Sequence, residues 1–181
     1  MKEKNLNLPN ILAAFRIALA PLMLWFMVDQ QNSLFQGWHP SWFDYFAGLI
    51  FVIASITDFF DGYIARSWNQ MTKLGSILDP LADKMLVLAG FIGLIALDRA
   101  SAMAVFLILS REFFITGLRV VAVAEGKSVA STMAGKVKTV AQMFAIGFLI
   151  MNWPYGAELL WFATALTMYS GYEYVREYFR N

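Results

Sequence analysis

Cysteine is absent from the chain and histidine occurs once. The first absence excludes disulfides and thiolate metal sites. Charge is also scarce: 14 Lys and Arg stand against 13 Asp and Glu, for a formal net charge of +1. That balance gives no reason to expect nucleic acid as a partner. No long polar tract, internal repeat or linker divides the sequence. What remains is 181 residues, 59% hydrophobic and 16% aromatic, with a positive mean hydropathy. Such a chain is hard to reconcile with a soluble core and reads as an all-α integral membrane protein, one membrane domain over residues 1–181.

A bilayer core about 30 Å thick needs roughly 20 apolar residues per helix. Six such runs are predicted as transmembrane helices: Ile11 to Val28, Trp42 to Ala65, Ile77 to Leu97, Ala102 to Ala124, Val140 to Trp153 and Leu159 to Val175. The fifth is short and has a possible start near Lys136. The separators, such as "LDRAS" and "NWPYGAE", have turn composition. Met1 to Lys4 with "ALA" at Ala18 to Ala20 outline a secretory signal. However, the run before that site is short and broken by Arg16, and Pro21 would follow the cut, so the first helix is expected to be retained.

Lysine and arginine set the orientation. Lys2, Lys4, Arg66, Lys73, Arg119, Lys127, Lys136, Lys138, Arg176 and Arg180 fall at the N-terminus, the second and fourth loops and the C-terminus. Six spans put these on one side, which is therefore expected to be cytoplasmic. The opposite loops hold Arg99 alone, and Trp38, Trp42, Trp153 and Tyr155 suit an aromatic belt at the outer interface. His39 falls in that belt, as a surface residue.

Against this background "TDFFDGYIARSWNQMTKLGSILDPLADK", Thr57 to Lys84, carries four aspartates. If the second helix ends near Arg66, Asp58 lies about 12 Å and Asp61 about 7 Å above its end. If the third rises from Gly75, Asp79 lies about 6 Å and Asp83 about 12 Å up. An antiparallel pair then matches Asp58 with Asp83 and Asp61 with Asp79. The i,i+3 and i,i+4 spacings put both carboxylates of each helix on one face. Four such anions in a low-dielectric region repel and draw protons unless a cation joins them. All-oxygen ligation selects a hard divalent ion such as Mg²⁺, Mn²⁺ or Ca²⁺; the lack of cysteine and of a nearby histidine argues against zinc. Two ions about 4 Å apart suit in-line displacement at phosphorus. Gly62, Ala65 and Gly75 are small enough to let a helix or a nucleotide approach.

Two other readings compete. Interfacial acids and helix caps account poorly for four carboxylates at matched depth. A cation transporter places its site at the midplane between related repeats. No repeat is present here, and the outer halves "FAGLIFVIA" and "LVLAGFIGLIAL" offer no polar exit.

Asp58, Asp61, Gly62, Ala65, Arg66, Gly75, Asp79 and Asp83 fit without a gap the D-x2-D-G-x2-A-R-x8-G-x3-D-x3-D signature. By that match the chain resembles the CDP-alcohol phosphotransferase family. The resemblance implies a six-helix membrane enzyme, often a homodimer, that transfers a phosphatidyl group from a CDP-linked lipid to an alcohol and releases CMP. It implies that Asp58, Asp61 and Asp79 hold the metals, Mg²⁺ or Mn²⁺, and that Asp83 is both ligand and general base. Gly62, Arg66 and Thr72 are then expected at the cytidine diphosphate, with the small Ala65 and Gly75 beside it. "LPNILAAFR" is similar to the family's Pro-Asn...Arg lead-in and places Asn10 near the nucleotide.

In the second half, "SREFFITGLRVVAVAEGKSVASTMAGKVKTVAQM" resembles bacterial members of the family that accept glycerol 3-phosphate. The shared features are an Arg-Glu pair, an Arg seven residues beyond Glu112, and a Gly-Lys-Val-Lys-Thr-x2-Gln run. Such an acceptor brings a dianion, to which Arg111, Arg119, Lys136 and Lys138 can offer charge-assisted bonds. For Arg111 the alternative is a buried pair with Glu112 or another acid, and for Lys127, Lys138, Arg176 and Arg180 it is inside-facing surface charge or lipid headgroup contact. The expectation is therefore CDP-diacylglycerol as donor and glycerol 3-phosphate as acceptor, in a bacterial cytoplasmic membrane among its lipids, with the site facing the cytoplasm. Sibling acceptors are inositol phosphate, serine and phosphatidylglycerol.

Overall fold

The computed structural model describes residues 8–30, 37–67, 75–126 and 133–180, and their side chains except those of residues 8–9, 59–67, 76–77 and 79–80. The described residues form six helices: α1 (Leu8–Val28), α2 (Pro40–Ser67), α3 (Gly75–Ala96), α4 (Ala102–Ala124), α5 (Met133–Ile150) and α6 (Gly156–Arg180). The chain divides into two compact units, Met1–Leu97 and Asp98–Asn181.

In the first unit α1 packs against both α2 and α3, which meet each other less extensively. The buried residues of α1 are Asn10, Ala13, Arg16, Ala20, Met23 and Met27, a 3-3-4-3-4 spacing that makes one narrow face. Opposing rows come from Phe43, Ala47, Phe51 and Ala54 of α2 and from Ala82, Leu86 and Ala89 of α3. The alanines let the backbones approach. Closest of all is Gly93, where an added Cβ would lie 2.7 Å from Met27 Sδ and displace that side chain.

In the second unit α6 packs against both α4 and α5. Ser101 caps α4 by accepting from the Ala104 amide at 3.5 Å, satisfying one orphan donor of the first turn. The end of α5 is closed by Asn152, at φ 52°. The amides of Asn152 and Trp153 donate to Leu149 and Phe148 at 3.2 and 2.9 Å, a Schellman closure. Its accompanying apolar contact is Trp153 edge-on to Phe148, with centroids 5.2 Å apart. Arg99 donates to the Ile150 carbonyl at 2.8 Å, a cation at the negative end of a helix.

Each of the six expected runs overlaps one helix, but α3 ends at Ala96, one residue short of Leu97, and α5 runs from Met133, seven residues before Val140 and three before Lys136, to Ile150, three short of Trp153. The two lysines that lower the local hydropathy are helical, one exposed and one buried. α6 also runs on to Arg180, because its buried row continues through Tyr174 and Tyr178.

α1, α2 and α5 are long and apolar enough to cross a membrane, over Asn10–Val28, Pro40–Asp58 and Met133–Ile150. In α3 and α4 the apolar runs are interrupted by Asp79, Asp83 and Lys84, and by Arg111, Glu112 and Arg119. Large apolar side chains such as Ile11, Phe15, Phe106, Phe113 and Phe162 are exposed. Lipid covers such faces at less cost than water does.

Candidate active site

The expected catalytic centre falls in the first unit. Asp58 and Asp61 lie on α2, and Asp79 and Asp83 on α3, so both pairs have the helical spacing that places them on one face. Asp58 takes the next position of the buried α2 row, four residues after Ala54. Asp58 and Asp83, expected at matched depth, reach the same guanidinium, that of Arg16. Arg16 Nη1 donates to Asp58 Oδ1 and lies 3.4 Å from Asp83 Oδ1. The arginine side chain is fully buried, whereas those of the aspartates are 31% and 50% exposed. Each carboxylate thus touches a buried cation while remaining partly accessible from outside. Asn10 is buried one turn before Ala13 on α1, and Gly75 is buried at the start of α3.

The side chains of Asp61, Gly62, Ala65, Arg66 and Asp79 lie outside the described residues, as does Thr72 entirely. Among the described residues no group of three or more potential ligands forms a metal cluster. The donor chemistry nonetheless fits a hard divalent cation, because carboxylates from two helices already gather round a positive charge.

The role of Arg16 was legible only in part. It breaks the apolar run of α1, and on a buried helix face whose only other polar member is Asn10 a cation needs a buried partner. Nothing local shows that the partners are 42 and 67 positions away.

The cations expected for the acceptor fall in the second unit, and only some of them meet. Arg111 of α4 donates to Glu112 Oε1 at 3.3 Å and to Ser170 Oγ of α6 at 3.0 Å. Lys138 of α5 donates to the same Glu112 Oε1. The side chains of Arg111 and Lys138 are each only 9% exposed. Arg111 therefore does pair with Glu112, but one carboxylate serves two buried cations, leaving this trio with a net formal charge of +1 (two cations, one anion). Arg119 is exposed two turns further along α4, with Cζ 5.7 Å from the ring centroid of Tyr174. Lys136 is exposed in the first turn of α5.

Three further residues hold this cluster in place. Glu112 is its hub, and Ser170 and Gly171 form the seat of Arg111. At Gly171 an added Cβ would lie 2.9 Å from Arg111 Cγ and 3.0 Å from Nε. Gln142, from the Gln-ending run of α5, donates to Thr167 Oγ1 at 2.8 Å and ties α5 to α6. The hint in the sequence was small: a Ser-Gly pair within the aromatic run "MYSGYEYV".

The chain matches the family model described as CDP-alcohol phosphatidyltransferase over residues 6–169, which takes in the four aspartates and the charged trio Arg111, Glu112 and Lys138 and ends one residue before Ser170. It is similar to a protein of Bacillus subtilis (strain 168) named CDP-diacylglycerol–glycerol-3-phosphate 3-phosphatidyltransferase, 42% identical over 179 residues, with 93% of each chain covered. A protein of the same name from Rickettsia felis is 39% identical over 180 residues, with 94% of each covered. The signature aspartates on paired helices, the apolar outer faces and a match over nearly the whole length agree, and the chain belongs to the CDP-alcohol phosphatidyltransferase family.

Proposed function

We propose that this protein transfers the phosphatidyl group of CDP-diacylglycerol to glycerol 3-phosphate, giving phosphatidylglycerophosphate and CMP. The observation that carries the reading is the pair of charge clusters, carboxylates in the first unit and surplus buried cations in the second, in a chain whose relatives bear that activity as their name. The relatives favour neither a sibling acceptor nor a cation transporter.

Asp58, Asp61, Asp79 and Asp83 are the residues that would hold Mg²⁺ or Mn²⁺, two ions in the fullest form of the reading. Bound there, the metal would neutralise the diphosphate and stabilise the charge left on CMP. The partly exposed Asp83 takes the proton from the acceptor's primary hydroxyl. That oxygen forms a bond to the β-phosphorus, and the bond from phosphorus to the bridging oxygen breaks, its electrons leaving with CMP. No covalent enzyme intermediate is needed. Asn10, Gly62, Ala65, Arg66, Thr72 and Gly75 are assigned to the donor's nucleotide. Arg111 and Lys138 are assigned to the acceptor's phosphate, with Arg119 and Lys136 as outer cations that attract it. One carboxylate cannot neutralise two buried cations, and with the outer Arg119 and Lys136 the formal charge reaches +3 (four cations, one anion), a positive site suited to a dianion.

The reading extends to a multi-pass protein of six spans in the bacterial cytoplasmic membrane, with its site toward the cytoplasm, and to a homodimer. The asymmetry of Lys and Arg supports that orientation.

An assay of purified protein in detergent with labelled CDP-diacylglycerol, offered each alcohol in turn, tests the reaction. Product with glycerol 3-phosphate and CMP release in equal amount are expected. Product only with serine, inositol phosphate or phosphatidylglycerol would reassign the acceptor.

A further inference from the structure

Arg16 is fully buried on α1, bonded to Asp58 of α2 and 3.4 Å from Asp83 of α3. It is thus the point at which the three helices of the first unit share one polar contact. We infer that Arg16 is a positioning residue, a built-in counter-cation that holds Asp58 and Asp83 together before the divalent ion arrives and yields part of their charge to that ion when it binds. The inference rests on the proposed role of these aspartates as metal ligands.

The physical argument concerns the metal-free protein. Carboxylates gathered in a membrane helix pair repel and lose solvation. A cation supplied by the fold offsets both costs, and a guanidinium suits the task because it is always charged and here turns one nitrogen, Nη1, toward both carboxylates. Arg16 sits in a buried row whose other members are the polar Asn10 and the apolar Ala13, Ala20, Met23 and Met27. Packing alone does not call for a cation in such a row. Both the guanidinium and a metal ion draw on the same oxygens, so their effects oppose each other: whatever Arg16 contributes to the metal-free state, the metal must partly replace. Asp58 and Asp83 are partly exposed while Arg16 is not, and so the ion need not expel the arginine from the core.

Arg16→Gln and Arg16→Lys, in full-length protein purified in detergent, test this with Mn²⁺ alone as the probe. Thermal unfolding is followed in EDTA and in saturating Mn²⁺, and Mn²⁺ affinity is measured by titration calorimetry. Arg16→Gln is expected to lower the melting temperature more in EDTA than in Mn²⁺. It should also bind Mn²⁺ more tightly, by about tenfold, the size of one lost charge-assisted hydrogen bond. Arg16→Lys keeps the charge without the fork and should shift both readouts in the same direction by less. It carries the test by itself if the glutamine variant does not fold. Equal loss of stability in EDTA and Mn²⁺, or weaker Mn²⁺ binding, would overturn the inference and leave Arg16 a packing residue. Wild-type protein that binds no Mn²⁺ would instead remove the metal reading on which the inference stands, a failure visible before any variant is made.

Discussion

Gly171 of α6 lies against the side chain of Arg111 of α4 so closely that a methyl group on it would come within 2.9 Å of Arg111 Cγ. An alanine ordinarily favours a helix over glycine by about 0.8–1 kcal/mol. Gly171→Ala is therefore expected to leave the fold intact while pushing Arg111 off Ser170. Steady-state kinetics should show a KM for glycerol 3-phosphate raised several-fold, with that for CDP-diacylglycerol little changed. An unchanged acceptor KM would mean that the position of Arg111 does not matter to the acceptor.

Removing Arg111 outright should have a larger effect. A charge-assisted hydrogen bond contributes roughly 1.5–3 kcal/mol, or about ten- to a hundredfold in KM for the acceptor. Arg111→Lys should recover little, since an ammonium cannot serve Glu112 and Ser170 as a fork does. Arg119→Ala, at an exposed position, should cost less, and the exposed Arg180→Ala should change neither constant. Variants that lose protein yield while keeping a normal acceptor KM would make these arginines structural partners of Glu112.

Asp83 and Asp61 are expected to differ in kind. Asp83→Asn removes the proton acceptor and should abolish turnover while CDP-diacylglycerol still binds. Asp61→Asn removes a ligand and should weaken binding and turnover together. Binding measured apart from turnover decides the matter, and equal loss in both variants would make Asp83 a ligand first.

Activity should vanish in EDTA and return with Mg²⁺ or Mn²⁺, because carboxylates of this number need compensating charge beyond one arginine. Full turnover in the presence of chelator would exclude the metal from the reaction.

The helices themselves were legible in the sequence, because apolar runs of bilayer length leave little choice of local structure. Legibility failed where charge entered a helix. Lys136 and Lys138 lower the hydropathy at the start of α5, yet the helix includes both, since Lys138 turns inward to Glu112 and Lys136 outward. The spacing of the aspartates already put each pair on one helix face, whereas Arg16 showed only as an interruption of α1 and the end of a motif, without its partners. Ser170 and Gly171 left only a small hint for the same reason: Arg111 meets Ser170 across 59 positions, and no local periodicity encodes such a meeting.

The arginine in the buried row of α1 also bears on how the protein is made. An arginine at the middle of a span costs about 2.5–3.5 kcal/mol on insertion, and less nearer an end. Arg16 lies about a third of the way into Asn10–Val28, so α1 enters the bilayer as an imperfect anchor. Its neutralising partner, Asp58, is the last residue of the next span, Pro40–Asp58. Pairing with Asp58 within the first hairpin therefore offsets the insertion cost of that arginine as soon as α2 is present.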